Sequence, residues 1–86
     1  MPSYVVNLAK SARKELEALD PHVIKRIFPK LENLSGNPRP AGCTKLHGNN
    51  DLWRIRIGDY RVVYSIDDTN YIVDITGIRH RKEAYR

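Results

Sequence analysis

Cysteine, tryptophan, methionine and phenylalanine each occur once in the 86 residues. Cys43 has no second thiol for an internal disulfide, so the fold must hold without covalent staples, as in a reducing cytoplasm. Histidine is scarce too. His22, His47 and His80 are widely separated and lack the spacing of a zinc centre, so no metal and no other cofactor is expected. No apolar run approaches the roughly 18 residues of a membrane helix. The opening Met-Pro-Ser-Tyr-Val-Val-Asn-Leu has no basic segment followed by a long apolar one. Export and membrane association are therefore not expected. Also missing are a glycine-rich phosphate loop, a paired-carboxylate arrangement, a nucleophile elbow, an internal repeat and a low-complexity tract.

What is present is charge. Lys and Arg number 15 against 10 Asp and Glu, a formal net charge of +5. With 41% hydrophobic and 29% charged residues, the composition is that of a globular domain that favours anionic partners. Length allows one domain, residues 1–86, and a chain of this size buries only about 60% of its unfolded surface.

Tyr4-Val5-Val6 reads as a short strand. Leu8, Ala12, Leu16 and Leu19 recur at helical spacing among charged residues, which predicts an amphipathic helix over about 9–19. Asp20-Pro21 restarts a helix, Asp20 as cap and Pro21 in the first turn. Its apolar stripe is Val23, Ile24, Ile27, Phe28, Leu31 and Leu34, with Gly36 as the C-terminal stop. Almost no loop joins the two helices, which predicts an antiparallel helical hairpin. Pro29 falls inside the stripe and predicts a kink, read as a hinge or as local tolerance. Residues 36–51 are loop-rich, with a possible very short strand at Thr44-Lys45-Leu46. Leu52–Ile57, Tyr60–Ile66 and Tyr71–Ile78 read as three further strands. The predicted order β-α-α-β-β-β gives an α+β fold, an antiparallel twisted sheet with the helices on one face.

Gly58-Asp59 has the form of a two-residue hairpin turn. That turn pairs Ile57 with Tyr60, Ile55 with Val62 and Trp53 with Tyr64 on the apolar face. It then sets Arg56 opposite Arg61 and Arg54 opposite Val63 on the other face. Like charges directly opposite destabilise a sheet. One reading is that an anion belongs between them, since a guanidinium presents two parallel donors to a phosphate. The other is a solvated face neutralised by Asp59, Asp67 or Asp74. Arg79-His80-Arg81-Lys82-Glu83-Ala84-Tyr85-Arg86 forms a second basic cluster, in which four of eight residues are Lys or Arg. A basic run with an aromatic suits RNA, and charge also collects at solvated termini. His80 is a candidate general acid or base, or a solvated histidine. Trp53 reads as core, and Cys43 receives no chemistry.

The segments Leu46-His47-Gly48, Leu52-Trp53-Arg54-Ile55-Arg56-Ile57-Gly58-Asp59-Tyr60-Arg61-Val62-Val63-Tyr64 and Ile78-Arg79-His80-Arg81-Lys82-Glu83-Ala84-Tyr85-Arg86 resemble the RelE/ParE superfamily of toxins from type II toxin–antitoxin pairs, and most closely its RelE branch. The resemblance spans nearly the whole chain in element order, length and charge. It implies a small cytoplasmic, metal-independent endoribonuclease, an mRNA interferase that cuts mRNA in the ribosomal A site. The RNA 2′-hydroxyl would attack the adjacent phosphate. It further implies a cognate antitoxin, a toxin–antitoxin hetero-oligomer, and ribosome and mRNA as partners, with the free toxin monomeric.

By position, the resemblance carries catalytic roles to Arg54, Arg56, Arg61, His80, Arg81 and Tyr85, and RNA-binding roles to Lys45, Arg79, Lys82 and Arg86. Arg61 and Arg81 would stabilise the phosphorane, and Tyr85 would orient or stack on the nucleotide. Some RelE toxins carry lysines where this chain has Arg54 and Arg56. Arginine is a poor base. Either His80 therefore moves the proton, or the arginines orient and stabilise while ribosome and substrate do more. Two rival readings share the fold: a ParE-like DNA gyrase inhibitor, and a non-catalytic basic RNA-binding module.

Overall fold

A computed structural model describes residues 3–46 and 52–80. Among the described residues seven elements follow in order: β1 Val5–Leu8, α1 Lys10–Glu17, α2 Pro21–Asn33, β2 Thr44–Lys45, β3 Leu52–Ile57, β4 Tyr60–Asp67 and β5 Ile72–His80. All five strands share one sheet in the order β1-β5-β4-β3-β2.

The sheet is mixed rather than antiparallel. β2 to β5 form the expected antiparallel ladder, and β1 adds to β5 in parallel, Val5 beside Ile72 through Leu8 beside Ile75. A parallel pair needs a long crossover, and here everything between β1 and β5 supplies it. α1 continues past the end of β1 along β5: the Ala9 amide donates to the Ile75 carbonyl and the Ser11 hydroxyl to the Thr76 carbonyl. α2 runs back, from the Gly58 turn, where Arg26 reaches Gly58, to the start of β1, where the Tyr4 amide donates to the Ser35 carbonyl at 2.8 Å. This is the antiparallel helical hairpin expected from the near-absent loop.

The helices cover one face of the sheet. Ala12, Leu16, Ile27, Leu31 and Leu34 meet Ile55, Val62, Tyr64, Val73, Ile75 and Ile78, and all of these are buried. The 3.6-residue stripes and the two-residue alternation thus point at each other, the condition for a two-layer core.

Two local expectations change. Asp20 stands at the start of α2, but its carbonyl rather than its side chain takes the amides of Val23 and Ile24. Gly36 is not a left-handed stop. α2 ends in tightened turns, with the amides of Leu34, Ser35 and Gly36 each donating three residues back. Pro29 lies inside α2, which runs on to Asn33. Pro29 is exposed, as is Lys25, whose carbonyl loses the amide donor that proline lacks.

The loop after α2 is pinned at the opposite end from Gly58. The Arg39 guanidinium grips the Asp68 carboxylate with both terminal nitrogens, at 3.2 and 2.8 Å, and the Tyr4 hydroxyl donates to the same carboxylate at 2.6 Å. The buried Tyr64 hydroxyl donates to the Pro38 carbonyl at 2.7 Å. Bonding by Arg39, then by Tyr4, holds the Asp68 carboxyl down at about 2. Asp67 is also lowered, first by the Asn70 side chain and then by the Asn70 amide. Both acids are depressed on folding. Their contribution is therefore present above the usual carboxylate value near 3.9 and lost as pH falls toward 2. Urea midpoints are expected to stay level from pH 7 to about 5 and to fall between about 4 and 2. Asp68→Asn should flatten part of that acid limb.

Candidate nucleic-acid interface

The turn between β3 and β4 sets the face that matters. Gly58 takes φ 60°, a backbone angle that glycine adopts without a Cβ clash, while Asp59 stays at negative φ. This is the geometry of a two-residue hairpin with glycine first. It fixes Ile57 opposite Tyr60, Arg56 opposite Arg61 and Arg54 opposite Val63, as the alternation predicts.

β5 extends this register in a way that the sequence pattern does not announce. Val73 and Ile75 face the core, and unbroken alternation would next bury Gly77 and Arg79. Instead the ladder shifts between Val63 and Tyr64. Tyr64 faces Ile75 and Val63 faces Gly77, so Thr76 is the extra residue of a β-bulge. The Thr76 hydroxyl donates to the Val63 carbonyl at 3.3 Å. Beyond the bulge Ile78 returns to the core opposite Val62, and Arg79 lies opposite Arg61.

The result is a row of arginines, Arg56, Arg61 and Arg79, one from each of three adjacent strands. They lie on the face away from the helices, with Arg54 two residues along β3 on the same side. Arg61 sits at the middle, half-buried, with its Nε enclosed. Arg56 and Arg79 are more exposed. Adjacent antiparallel residues on one face bring their Cβ atoms to about 5 Å. Three guanidinium side chains rooted at that spacing make this face strongly positive.

The other side chains proposed from sequence divide. Arg79, expected to bind RNA, joins the central row. His80 does not. It pairs with Tyr60 on the helix-covered side, its ring edge-to-face with Tyr60 at 5.3 Å and 88°. There it lines a cavity of about 340 Å³ with Asp20, His22, Arg26 and Tyr60. The same bulge that brings Arg79 to the row turns His80 away from it. Lys45 pairs with Trp53 rather than with an arginine, and its ammonium lies 5.9 Å from the indole, on the side opposite the row. Arg39 lies over the same ring at 5.0 Å. Trp53 thus packs on the core edge under two cations. Arg81, Lys82, Tyr85 and Arg86 fall outside the described residues.

Sequence reasoning missed one contributor. Glu15 of α1 accepts the Ile78 amide at 3.0 Å and pairs with Arg79 Nε at 3.1 Å. In sequence it is one of two acids, Glu15 and Glu17, among the charged residues of α1, and nothing sets it apart.

Fold and face together define a small basic α+β protein whose open mixed sheet is covered by helices on one side and carries arginines on the other. Residues 6–85 match the family described as the ParE toxin of the parDE type II toxin–antitoxin system. The chain belongs to the RelE/ParE superfamily of type II toxins. It is 33% identical over 87 residues to the Toxin RelE of Mycobacterium tuberculosis, covering 96% of this chain and 87% of that one. Among solved structures it is similar to the archaeal RelE–RelB complex of Pyrococcus horikoshii OT3, with a TM-score of 0.81, 31% identity, and coverage of 92% and 96%. It is likewise similar to the RelBE2 toxin–antitoxin complex of M. tuberculosis, with a TM-score of 0.83, 29% identity, and 94% of each chain covered.

Proposed function

We propose that this toxin is a ribosome-dependent mRNA endoribonuclease, and that the Arg56–Arg61–Arg79 row is the centre of its RNA-binding face. The observation that carries this reading is the row itself. Like charges across a sheet are costly, and a phosphate between them turns that cost into binding.

In this reaction the RNA 2′-oxygen forms a bond to the adjacent phosphorus and the bond to the 5′-oxygen breaks. The products are a 2′,3′-cyclic phosphate and a 5′-hydroxyl. The phosphorane carries an extra negative charge before the bond breaks. Arginines held by sheet register meet that charge without rearranging, which is the strongest form of electrostatic catalysis available to such a site. Arginine does not give up its proton near neutral pH, and His80 lies on the other side of the sheet. The row therefore orients and stabilises, and proton transfer falls to groups supplied with the substrate on the ribosome. Arg81 and Tyr85 complete the site in this proposal by their resemblance to family positions.

The structural relatives are toxin–antitoxin complexes. By the same reading this chain has a cognate antitoxin and acts in the cytoplasm. Among the described residues no helix is long and apolar enough to cross a membrane.

The test is translation in vitro of a defined mRNA, with 5′ ends mapped by primer extension, beside the same mRNA without ribosomes. Cuts confined to translated mRNA are expected. The family description names the ParE branch, which favours one second reading, gyrase inhibition. Intact mRNA together with blocked DNA supercoiling would move that reading forward.

A further inference from the structure

β1 ends at Leu8, and beyond Ile75 the outer edge of β5 has no strand beside it among the described residues. An unprotected edge leaves backbone donors and acceptors unpaired. The chain from Ala9 through α1 lies along this edge. Ala9 bonds Ile75, Ser11 bonds Thr76, and Glu15 accepts from Ile78 and reaches Arg79. The last of these contacts differs in kind, because Arg79 belongs to the arginine row.

One carboxylate does two things here. Oε1 fixes the backbone of β5 at Ile78, and Oε2 holds the Arg79 Nε at 3.1 Å. A guanidinium gripped at Nε has its plane fixed by that contact, which leaves N–H donors of its terminal nitrogens for a second partner. Arg79 would otherwise be a mobile side chain, since 61% of it is exposed, whereas Glu15 is only 28% exposed and is anchored by the amide. Glu15 also places one negative charge beside Arg79 at the end of the row, which lowers the repulsion between Arg79 and its neighbour Arg61 in the absence of RNA.

We infer that Glu15 is a positioning residue: it holds Arg79 at the end of the row so that its terminal nitrogens are aimed at the phosphate before substrate arrives. The inference rests on the ribonuclease reading for its effect on rate, and on geometry alone for the orientation of Arg79. It makes a specific split. A carboxylate near the site repels phosphate, so removing its charge should not weaken ground-state binding. Preorganisation matters most in the transition state. Losing the grip should therefore lower kcat and leave KM unchanged or reduced.

Glu15→Gln is the informative variant, because its amide oxygen still accepts the Ile78 amide while the ionic grip on Arg79 is lost. The purified full chain is examined in two ways. In NMR, the Arg79 Nε–Hε proton of the wild type should exchange with water more slowly than that of Arg13, whose contact to Glu17 is 3.9 Å and exposed. In Glu15→Gln the Arg79 rate should rise to the Arg13 rate, and titration with inorganic phosphate should give an equal or tighter dissociation constant. In translation-coupled cleavage, kcat should fall about tenfold, with KM not raised. In an Arg79→Ala background the same substitution should cause no further loss.

Equal Arg79 exchange in wild type and Glu15→Gln overturns the inference. So does an undiminished kcat, or a loss of the same size in the Arg79→Ala background, which would mark a purely structural role. Should wild-type protein cut no translated mRNA, the ribonuclease reading fails by itself. The exchange and phosphate measurements then decide the role of Glu15, which is overturned if Arg79 exchange is unaltered or phosphate binds Glu15→Gln more weakly.

Discussion

Arg61→Ala and Arg79→Ala are each expected to slow cleavage of translated mRNA by about 10²–10³-fold, the loss typical of removing one preorganised charge-stabilising donor. Arg61 should be the more severe of the two, because it is central in the row and flanked by Arg56 and Arg79. Arg61→Lys should recover little. A lysine restores the charge but not the planar fork, and its ammonium is a flexible point. Stability should move by less than about 1 kcal/mol in Arg61→Ala, since lost packing of the half-buried stem is offset by relief of like-charge repulsion. Lys45→Ala is the control. Its side chain lies on the Trp53 side of the sheet, and the cleavage rate should match wild type. Primer-extension time courses measure all four variants. Wild-type rates in both arginine-to-alanine variants would remove the row from the mechanism. A large loss in Lys45→Ala with none in the arginines would move the site to the other side of the sheet.

How much of this could be read in advance depends on the range of the interaction. The Arg56–Arg61 pair is separated only by a glycine-led turn and a two-residue repeat, so local geometry dictates it, and the structure has that register. The core alternation of Ile55, Val62 and Tyr64 is legible for the same reason. Arg79 and His80 are different, because their sides depend on one extra residue at Thr76. Counted without the bulge, His80 would face with the arginines and Arg79 with the core. The bulge exchanges them. Nothing in Ile-Thr-Gly-Ile states which residue is the extra one, although a small residue and a glycine side by side permit it. The parallel placement of β1 is hidden for another reason. It depends on the direction in which α1 leaves the sheet, and periodicity carries no direction. Glu15 lies furthest from view. Its partner amide is 63 residues away, and a single acid on an amphipathic helix is otherwise an ordinary solvated residue.

The largest loss of stability is expected from Ile75→Ala. Ile75 is fully buried, and its position explains why so much depends on it. On one side it pairs with Leu8 of β1, and on the other with Tyr64 of β4, which is also fully buried. Its carbonyl accepts the Ala9 amide at the point where β1 gives way to α1. Removing three carbons here leaves a void between two strands and the helix layer, and such truncations cost about 2–5 kcal/mol. Domains of this kind hold only about 5–15 kcal/mol in total. For a chain of 86 residues each kcal/mol corresponds to about 4–8 °C, so the melting temperature should fall by about 10–30 °C. Val5→Ala provides the contrast on the neighbouring strand. Val5 is 59% exposed, and its truncation should cost less than about 0.5 kcal/mol. Thermal melts and urea titrations read both variants. The urea midpoint should drop for Ile75→Ala with an unchanged slope, since the same surface is exposed on unfolding. A fall in melting temperature of only a few degrees would mean that the space around Ile75 collapses freely, and that α1 and β1 are not anchored through it. A large fall would connect the core to the arginine face, because α1 carries Glu15 and so reaches Arg79 from this same anchor.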